Sequence, residues 1–262
     1  MHKPKIIFFD IDGTLIDMQL KKVTPLMLST LHKLQANDIR LAIATGRGPM
    51  TVPLQDFPGV QFDILLTFNG SYSYDRERVL YANPIPTEDI RTIRKNAAAL
   101  GRPMCIATNK VMVANGADQD LADYFAVGKA GIPISPEFDA VAESTVYQIM
   151  IGARAAEYDR LMQGVKGVKI TAWWDRAVDI IPTGGGKGTG IAKVLEAYGL
   201  EKADAMAFGG GNNDLAMFDA VGTSVAMGNG SAELKAAATD ICGDCADDGI
   251  YHYCVEHGLI EA

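Results

Sequence analysis

The sequence predicts an α/β protein with a doubly wound parallel sheet and an inserted, smaller α/β domain. Near both ends of the chain, short uninterrupted apolar runs alternate with helical patterns, as in parallel sheets covered by helices on both faces. In the middle of the chain, apolar runs are paired around short polar turns, which is typical of antiparallel hairpins. The 262 residues suffice for two domains of modest size, because domains usually contain about 100–200 residues.

Three apolar runs near the start of the chain are predicted to be neighbouring parallel strands. They are Lys5–Phe9, Arg40–Ala44 and Ile64–Phe68, and polar or glycine residues follow each of them. Between the first two runs, Thr24 and Pro25 are suited to the cap and first position of a helix. Because ligands of parallel sheets bind beyond the carboxyl ends of the strands, we expect these polar endings to share one edge.

The middle of the chain is predicted to form an antiparallel sheet with its own helix. Pro84–Pro86 is typical of a linker, and Thr87 is expected to cap a helix that ends at Gly101. A further strand is predicted at Val146–Ile151. The predicted hairpins pair Met104–Thr108 with Val111–Ala114, and Lys169–Trp174 with Ala177–Ile181.

The first pattern returns near Thr183. A helix is predicted over Lys187–Tyr198 with Gly199 as its stop, and strands are predicted at Ala205–Phe208 and Thr223–Met227. The predicted domains are a catalytic core of residues 1–82 and 184–262, and an inserted cap of residues 83–183.

Composition argues against several classes of protein. With 24 basic and 32 acidic residues the net charge is −8, which repels nucleic acids and anionic membranes, so neither is an expected partner. The apolar start, Ile6–Phe9, is shorter than the ~7–15 residues of a signal peptide. The longest run without Asp, Glu, Lys or Arg, Ala220–Ala232, is shorter than the ~20 residues of a membrane helix. Since four cysteines are too sparse for a disulfide scaffold, we expect a cytoplasmic protein; the oligomeric state is not predicted.

The first predicted strand is followed by the sequence Asp10-Ile11-Asp12-Gly13-Thr14. Two carboxylates at this spacing can bind a cation, or divide the roles of nucleophile and acid/base. The alternative interpretation is an Asp-Gly turn at a strand end. Similarly, Thr45-Gly46-Arg47 alone is only a strand-to-loop junction. Lys187 alone is a solvated lysine, although a bound phosphate would explain a cation at a helix start.

Taken together, these motifs resemble those of the haloacid dehalogenase superfamily. Phe8–Leu15 resembles the first motif, Ile43–Arg47 the second, Lys187 the third and Gly209–Asp214 the fourth. The insertion of about a hundred residues between the second and third motifs is similar to the Cof-type branch, whose members are mostly sugar-phosphate phosphatases. The resemblance extends over essentially the whole chain and implies a Rossmann-like core with an inserted α/β cap.

The resemblance implies a Mg²⁺-dependent phosphatase that acts on small phosphorylated metabolites, with sugar phosphates as the first candidates. Asp10 would form an aspartyl-phosphate, and Asp12 would act as general acid and then base. Mg²⁺ would sit between the Asp10 carboxylate, the Asp12 main-chain carbonyl and the phosphate. The implied phosphate-binding residues are Ile11, Thr45, Gly46, Lys187 and Asn213, and the implied metal site comprises Asp10, Asp12 and Asp214.

The fourth motif departs from the family pattern at Gly210, where relatives have a metal-ligating aspartate. With glycine there, one anionic oxygen is missing from the cation site; a water held by Asp214 would fill the position, so that metal binding is weakened and not lost. Gly210 leaves open a phospho-metabolite-binding protein with weak turnover. A separate alternative is a phosphatase for a non-sugar metabolite such as a phosphorylated vitamin. A phosphotransferase or mutase is a third possibility.

Three further groups of residues allow more than one interpretation. Arg47 faces either the leaving group or a carboxylate. Trp173 and Trp174 are expected on opposite faces of a strand, one in the core of the inserted domain and the other facing the active site or solvent. The thiols of Cys242 and Cys245 are interpreted as structural, with zinc binding and redox chemistry as the alternatives. The zinc alternative would add His252, Cys254 and His257 as ligands.

Overall fold

The structure, a computed structural model, describes residues 3–128, 130–172 and 174–262. Within these residues the chain divides into two compact units. Of the described residues, unit 1 comprises 3–47, 51–81 and 186–262, and unit 2 comprises 48–50, 82–128, 130–172 and 174–185. In the described ranges, every helix is too short or too polar to span a lipid bilayer.

The strands of the described residues belong to two sheets, one in each unit. In chain order they are β1 (Ile6–Phe9), β2 (Arg40–Ala44), β3 (Ile64–Thr67), β4 (Tyr72–Asp75), β5 (Val79–Ala82), β6 (Met104–Ala107), β7 (Met112–Ala114), β8 (Gln148–Ile151), β9 (Val168–Thr171), β10 (Val178–Pro182), β11 (Ala205–Gly209), β12 (Thr223–Ala226) and β13 (Asp240–Ile241). The α-helices are α1 (Pro25–Ala36), α2 (Thr87–Ala99), α3 (Gln119–Val127), α4 (Phe138–Ala142), α5 (Tyr158–Leu161), α6 (Lys187–Tyr198), α7 (Leu215–Phe218), α8 (Ala232–Ala237) and α9 (Gly249–Glu256).

Unit 1 contains the predicted parallel sheet. Its strand order, over the residues described, is β13-β12-β11-β1-β2-β3-β4-β5. All neighbours from β13 to β3 are parallel, and β4 runs antiparallel to β3. In the middle of the sheet, Phe9 is in register with Phe208 on one side and Ile43 on the other. The carboxyl ends of β11, β1 and β2 are therefore adjacent.

Helices cover both faces of this sheet, which confirms the doubly wound fold. Side chains alternate along a strand, so Ile7 and Phe9 point to one face and Ile6 and Phe8 to the other. The first pair packs with residues of α1 and α9, and the second pair packs with residues of α6, α7 and α8. Because every β1 side chain is fully buried, the strand is uniformly apolar, as the sequence indicates.

Unit 2 contains an antiparallel sheet with the order β7-β6-β8-β10-β9 in its described part. The two predicted hairpins, β6 with β7 and β9 with β10, are confirmed. Ile90 and Ile93 of α2 pack on one face of the sheet with Ile149 and Ile180.

Several details of unit 2 differ from prediction. The N-cap of α2 is Pro86 rather than Thr87, because the amides of Asp89 and Ile90 both donate to the Pro86 carbonyl. Helices α3, α4 and α5 are not among the predicted elements; Asp118 caps α3 by accepting a hydrogen bond from the Leu121 amide.

The predicted strand Lys169–Trp174 is shorter in the structure, where β9 ends at Thr171. Trp173 lies outside the described residues. The Trp174 ring lies under the Arg176 guanidinium, with 4.2 Å between the guanidinium carbon and the ring centroid.

Candidate active site

The candidate site lies at the carboxyl ends of three adjacent strands of unit 1. Asp10 directly follows β1, Thr45 directly follows β2, and Gly209 ends β11. Asp10 and Thr45 are both buried, and the Asp10 amide donates to the Phe208 carbonyl on β11 at 3.1 Å. The parallel register thus brings together residues that are far apart in the sequence.

A buried ammonium group joins two of the predicted carboxylates. Nζ of Lys187 lies 2.6 Å from Oδ1 of Asp10 and 2.5 Å from Oδ1 of Asp214. The Lys187 side chain is 0% exposed. With both carboxylates ionised, the group retains one uncompensated negative charge at the edge of the sheet. This charge favours the binding of an additional cation there.

Burial and charge shift the pKa values of these groups. Burial raises the pKa of Asp10, and the nearby Asp214 and Asp12 carboxylates raise it further, while Lys187 opposes both effects. Burial alone would lower the pKa of Lys187, but Asp10 and Asp214 outweigh it and raise the pKa above its ordinary value. Lys187 is therefore an ammonium ion throughout the physiological pH range.

Asp12 forms a two-pronged ion pair with Arg47. Nε and Nη2 of Arg47 donate to Oδ2 and Oδ1 of Asp12 at 2.9 and 2.7 Å. Of the two interpretations of Arg47, the structure supports contact with a carboxylate. The Asp12 side chain is 35% exposed, whereas that of Asp10 is 9% exposed, so the two carboxylates occupy different environments. Such a difference suits one group to nucleophilic attack and the other to proton transfer.

Hydrogen-bond donors at the strand ends remain available to a ligand. Within the described residues, the amides of Ile11 and Gly46 donate no hydrogen bond. The Thr45 hydroxyl oxygen accepts from the Arg47 amide at 3.1 Å, which leaves its own proton to donate. Adjacent unpaired amides and a hydroxyl provide the donor set that binds phosphate oxygens.

Asp214 holds the loop that follows β11. Its Oδ2 atom accepts hydrogen bonds from the amides of Gly210 and Gly211 at 2.9 and 3.0 Å. A Cβ atom on Gly209 would lie 2.7 Å from the same oxygen, so this packing requires glycine at position 209. Asp214 is completely buried, and Lys187 occupies its other oxygen. Both oxygens of Asp214 therefore have hydrogen-bond partners within the protein, and the side chain ties Lys187 to the loop after β11.

Gly210 faces a polar atom that has no partner. A Cβ atom on Gly210 would lie 3.4 Å from the Thr14 hydroxyl oxygen and 3.1 Å from the Gly13 carbonyl oxygen. That hydroxyl is buried and has no hydrogen-bond partner among the described residues. No three His, Cys, Asp or Glu side chains of the described ranges are arranged to hold a metal ion. The site therefore depends on few carboxylates, and a side chain at position 210 requires the Gly13 carbonyl to shift by a few tenths of an ångström.

Asn213 contacts a residue to which sequence analysis assigned no role in the site. Its Nδ2 donates to Oδ1 of Asn69 at 3.3 Å. Asn69 follows β3, is buried, and has a left-handed backbone with φ 53°. The Asn-Gly pair after a predicted strand is the sequence signal for this conformation, since both residues tolerate it.

The carboxy-terminal cysteines are buried thiols. Burial raises the pKa of Cys242, Cys245 and Cys254, in each case to about 12, which keeps them protonated and unreactive. Sγ of Cys245 donates to the Thr14 carbonyl at 3.1 Å, so this thiol packs behind the first motif. The zinc alternative has no site within the described ranges, where no suitable group of three ligands occurs.

Comparisons with known proteins agree with this geometry. A family model for haloacid dehalogenase-like hydrolases matches residues 7–254. The chain is 31% identical over 261 residues to YkrA of Bacillus subtilis (strain 168), a phosphatase by name, with 98% of this chain and 99% of that protein covered. It is 27% identical over 276 residues to the pyridoxal phosphate phosphatase YbhA of Escherichia coli (strain K12), with 97% and 98% covered. The solved structure of a sugar phosphatase of subclass IIB of the superfamily aligns with a TM-score of 0.87 and 25% identity, with 98% of this chain and 100% of that chain covered.

Proposed function

Because the chain belongs to the haloacid dehalogenase-like hydrolases, we propose that it is a Mg²⁺-dependent phosphatase of small phosphorylated metabolites, with sugar phosphates as the first substrate class. The observation that carries the proposal is the fully buried Lys187, held between Asp10 and Asp214 at the edge of the sheet where the Ile11 and Gly46 amides donate no hydrogen bond within the described residues. A phosphate monoester dianion needs such a concentration of donors and cations to approach an anionic nucleophile.

In the first step, a carboxylate oxygen of Asp10 attacks phosphorus. The phosphorus–oxygen bond to the leaving alcohol breaks, and Asp12 donates a proton to the departing oxygen. The product of this step is an aspartyl-phosphate at Asp10 and a free alcohol. Arg47 donates to both Asp12 oxygens, so this pair must loosen before Asp12 transfers a proton.

In the second step, Asp12 removes a proton from a water molecule that attacks the same phosphorus atom. The bond between phosphorus and Asp10 breaks, which releases inorganic phosphate and regenerates both carboxyl groups. Lys187, the Thr45 hydroxyl and the amides of Ile11 and Gly46 bind the phosphate oxygens as charge spreads over them. Asn213 supplies a further amide donor.

The residues at this edge of the sheet suit Mg²⁺. The ion prefers hard oxygen ligands and commonly binds through one or two carboxylates together with water and substrate phosphate. The Asp10 carboxylate and the Asp12 main-chain carbonyl would hold it, and Asp214 would act indirectly, by fixing Lys187 and the Gly210–Gly211 amides. When bound, Mg²⁺ neutralises charge between the nucleophile and the phosphate.

Phosphate release by the purified full chain tests this function. We expect release of inorganic phosphate from a panel of sugar phosphates in the presence of Mg²⁺, and a loss of at least ~10-fold when EDTA is added. Transfer of phosphate to an acceptor sugar instead of water would identify a phosphotransferase or mutase. Binding of substrates without release would identify a binding protein.

A phosphorylated vitamin is the second candidate substrate, and the similarity to the pyridoxal phosphate phosphatase favours it. Pyridoxal phosphate belongs in the same panel as the sugar phosphates. A kcat/KM for pyridoxal phosphate at least ~10-fold above that for every sugar phosphate would select this alternative, because such a ratio requires about 1.4 kcal/mol of differential transition-state binding.

Gly210 provides a separate test of the metal site. Replacing it with aspartate (Gly210→Asp) adds a carboxylate beside the unpartnered Thr14 hydroxyl, which can donate a hydrogen bond to it. We expect the Mg²⁺ concentration for half-maximal phosphate release to fall about 10-fold, the effect of ~1.4 kcal/mol of added metal affinity. The measurement is a Mg²⁺ titration of both proteins.

The matched control is Gly131→Asp, which adds the same charge at an open position of unit 2, where a Cβ meets nothing within 4 Å. This variant should keep the wild-type midpoint. If Gly210→Asp also leaves the midpoint unchanged or raises it, the metal site is already complete without a carboxylate at position 210.

A further inference from the structure

Three consecutive residues after β3 have left-handed backbone conformations. Phe68, Asn69 and Gly70 have φ values of 51°, 53° and 83°, and we call this segment the left-handed turn. Such a conformation is uncommon for residues other than glycine, asparagine and aspartate, and for phenylalanine it is strained. Strained backbone of this kind persists only where surrounding contacts hold it, and it is concentrated at functional sites.

The left-handed turn holds the loop that follows β2. The Phe68 amide donates to the Arg47 carbonyl and the Asn69 amide donates to the Thr45 carbonyl, both at 2.9 Å. The Asn69 side chain lies against Gly46, where a Cβ atom would be 3.3 Å from both its Oδ1 and its Nδ2. The turn therefore fixes the loop that carries the Thr45 hydroxyl and the Gly46 amide.

The same turn packs against the start of α6. A Cβ atom on Gly70 would lie 2.5 Å from the Gly186 carbonyl oxygen and 3.1 Å from Cα of Lys187. The two backbones approach this closely because position 70 has no side chain. The turn thereby fixes the residue from which the buried Lys187 side chain extends.

Asn69 also determines the orientation of Asn213. A primary amide has two N–H groups, and Asn213 directs one of them to Oδ1 of Asn69 at 3.3 Å. The second N–H remains for a phosphate oxygen. Asn69 is only 2% exposed, so it acts from behind Asn213 rather than by contact with substrate.

We infer that the Asn69 side chain is a positioning group for phosphate binding that acts through the Asn213 amide, while the backbone of the left-handed turn holds the Thr45–Gly46 loop whichever residue stands at position 69. This inference rests on the proposed phosphatase function, because Asn213 and the loop matter only if the site binds phosphate. The Asn-Gly pair after β3 thus contributes to phosphate binding. Loss of the Asn69 side chain weakens phosphate binding chiefly by releasing Asn213.

A double-mutant cycle tests the inference. Asn69→Gly removes the amide and retains a residue that adopts φ 53° without strain, and Asn213→Ala removes the donor. The readouts are kcat/KM for p-nitrophenyl phosphate and the inhibition constant of orthovanadate, with thermal melting to confirm folding. We expect each single variant to weaken orthovanadate inhibition about 10-fold. Orthovanadate should inhibit the double variant as strongly as it inhibits Asn213→Ala alone.

Two further variants complete the design. Asp38→Gly changes another left-handed residue (φ 59°) to glycine in the turn before β2, at the opposite end of that strand from Thr45, and should leave both readouts unchanged. Asn69→Asp keeps an oxygen that accepts from Asn213, so adding Asn213→Ala to it should still weaken inhibition. The cycle of Asn69→Asp with Asn213→Ala therefore tests the inference even if Asn69→Gly does not fold.

The inference is overturned if the losses from Asn69→Gly and Asn213→Ala multiply in the double variant, or if Asn213→Ala has no further effect on the Asn69→Asp protein. Independent losses would mean that Asn69 supports the fold without acting through Asn213. A wild-type protein that neither releases phosphate nor is inhibited by orthovanadate would overturn the proposed function as well. The two failures are therefore distinguishable.

Discussion

Replacing Asp10 with asparagine (Asp10→Asn) is expected to lower kcat by at least ~10⁴-fold while the protein remains folded. An amide cannot form an acyl phosphate, so neither chemical step can proceed through position 10. The fold should persist because asparagine has the same shape and Lys187 keeps its second partner, Asp214. Steady-state phosphate release and thermal melting measure the two effects.

The control for this variant is Asp38→Asn. Asp38 is exposed in the turn before β2, and asparagine tolerates its left-handed backbone. This protein should retain wild-type turnover. A kcat of Asp10→Asn within ~10-fold of wild type, free of contaminating phosphatase, would exclude Asp10 as the nucleophile.

Replacing Lys187 with methionine (Lys187→Met) is expected to lower the free energy of unfolding by about 3–5 kcal/mol at pH 8. The variant leaves Asp10 and Asp214 buried without their shared cation. Turnover should also fall, because the ammonium group no longer binds the phosphate oxygens in the transition state. Urea denaturation at pH 8 and at pH 5 measures the change in stability.

The loss of unfolding free energy caused by Lys187→Met should be smaller at pH 5 than at pH 8. Burial already raises the pKa of Asp10, and removal of Lys187 raises it further. A carboxyl group with a higher pKa in the folded than in the unfolded chain binds more protons when folded. Its contribution to stability is therefore present at low pH and is lost as the pH rises through the folded-state pKa. An equal loss at both pH values would contradict this electrostatic origin.

The matched control is Lys193→Met on the same helix. Lys193 is exposed and pairs with the exposed Glu196, so its replacement should leave stability unchanged at both pH values. Helix α6 is otherwise identical in the two variants. A comparable loss from Lys193→Met would mean that helix propensity, and not the buried charge, determines the result.

The sequence predicted the elements with strong local signals. Helix α6 begins at Lys187 and ends before Gly199, as predicted, because glycine adopts the left-handed conformation that closes it. Strand β2 also has its predicted bounds, since a continuous apolar run ends at a polar residue. Helix α3 was missed because its buried apolar residues, Leu121 and Phe125, form too short a pattern in sequence.

The contacts within the site were less predictable than its members. The four motifs identify Asp10, Thr45, Lys187 and Asp214, but the arrangement of Lys187 between two carboxylates depends on strand order and register. The sequence likewise does not predict the partner of Arg47, because its pairing with Asp12 joins residues that are 35 positions apart. Local patterns carry no information about such long-range pairings.

The stereochemical course at phosphorus tests the central claim most directly. The substrate is a phosphate monoester made chiral with three oxygen isotopes, and an added acceptor alcohol competes with water for the phosphoryl group, so that the phosphate ester formed with this alcohol is itself chiral. Two successive displacements, first by Asp10 and then by the acceptor, predict net retention of configuration. Net inversion would mean that a single displacement transfers the phosphoryl group directly, and it would contradict an aspartyl-phosphate at Asp10.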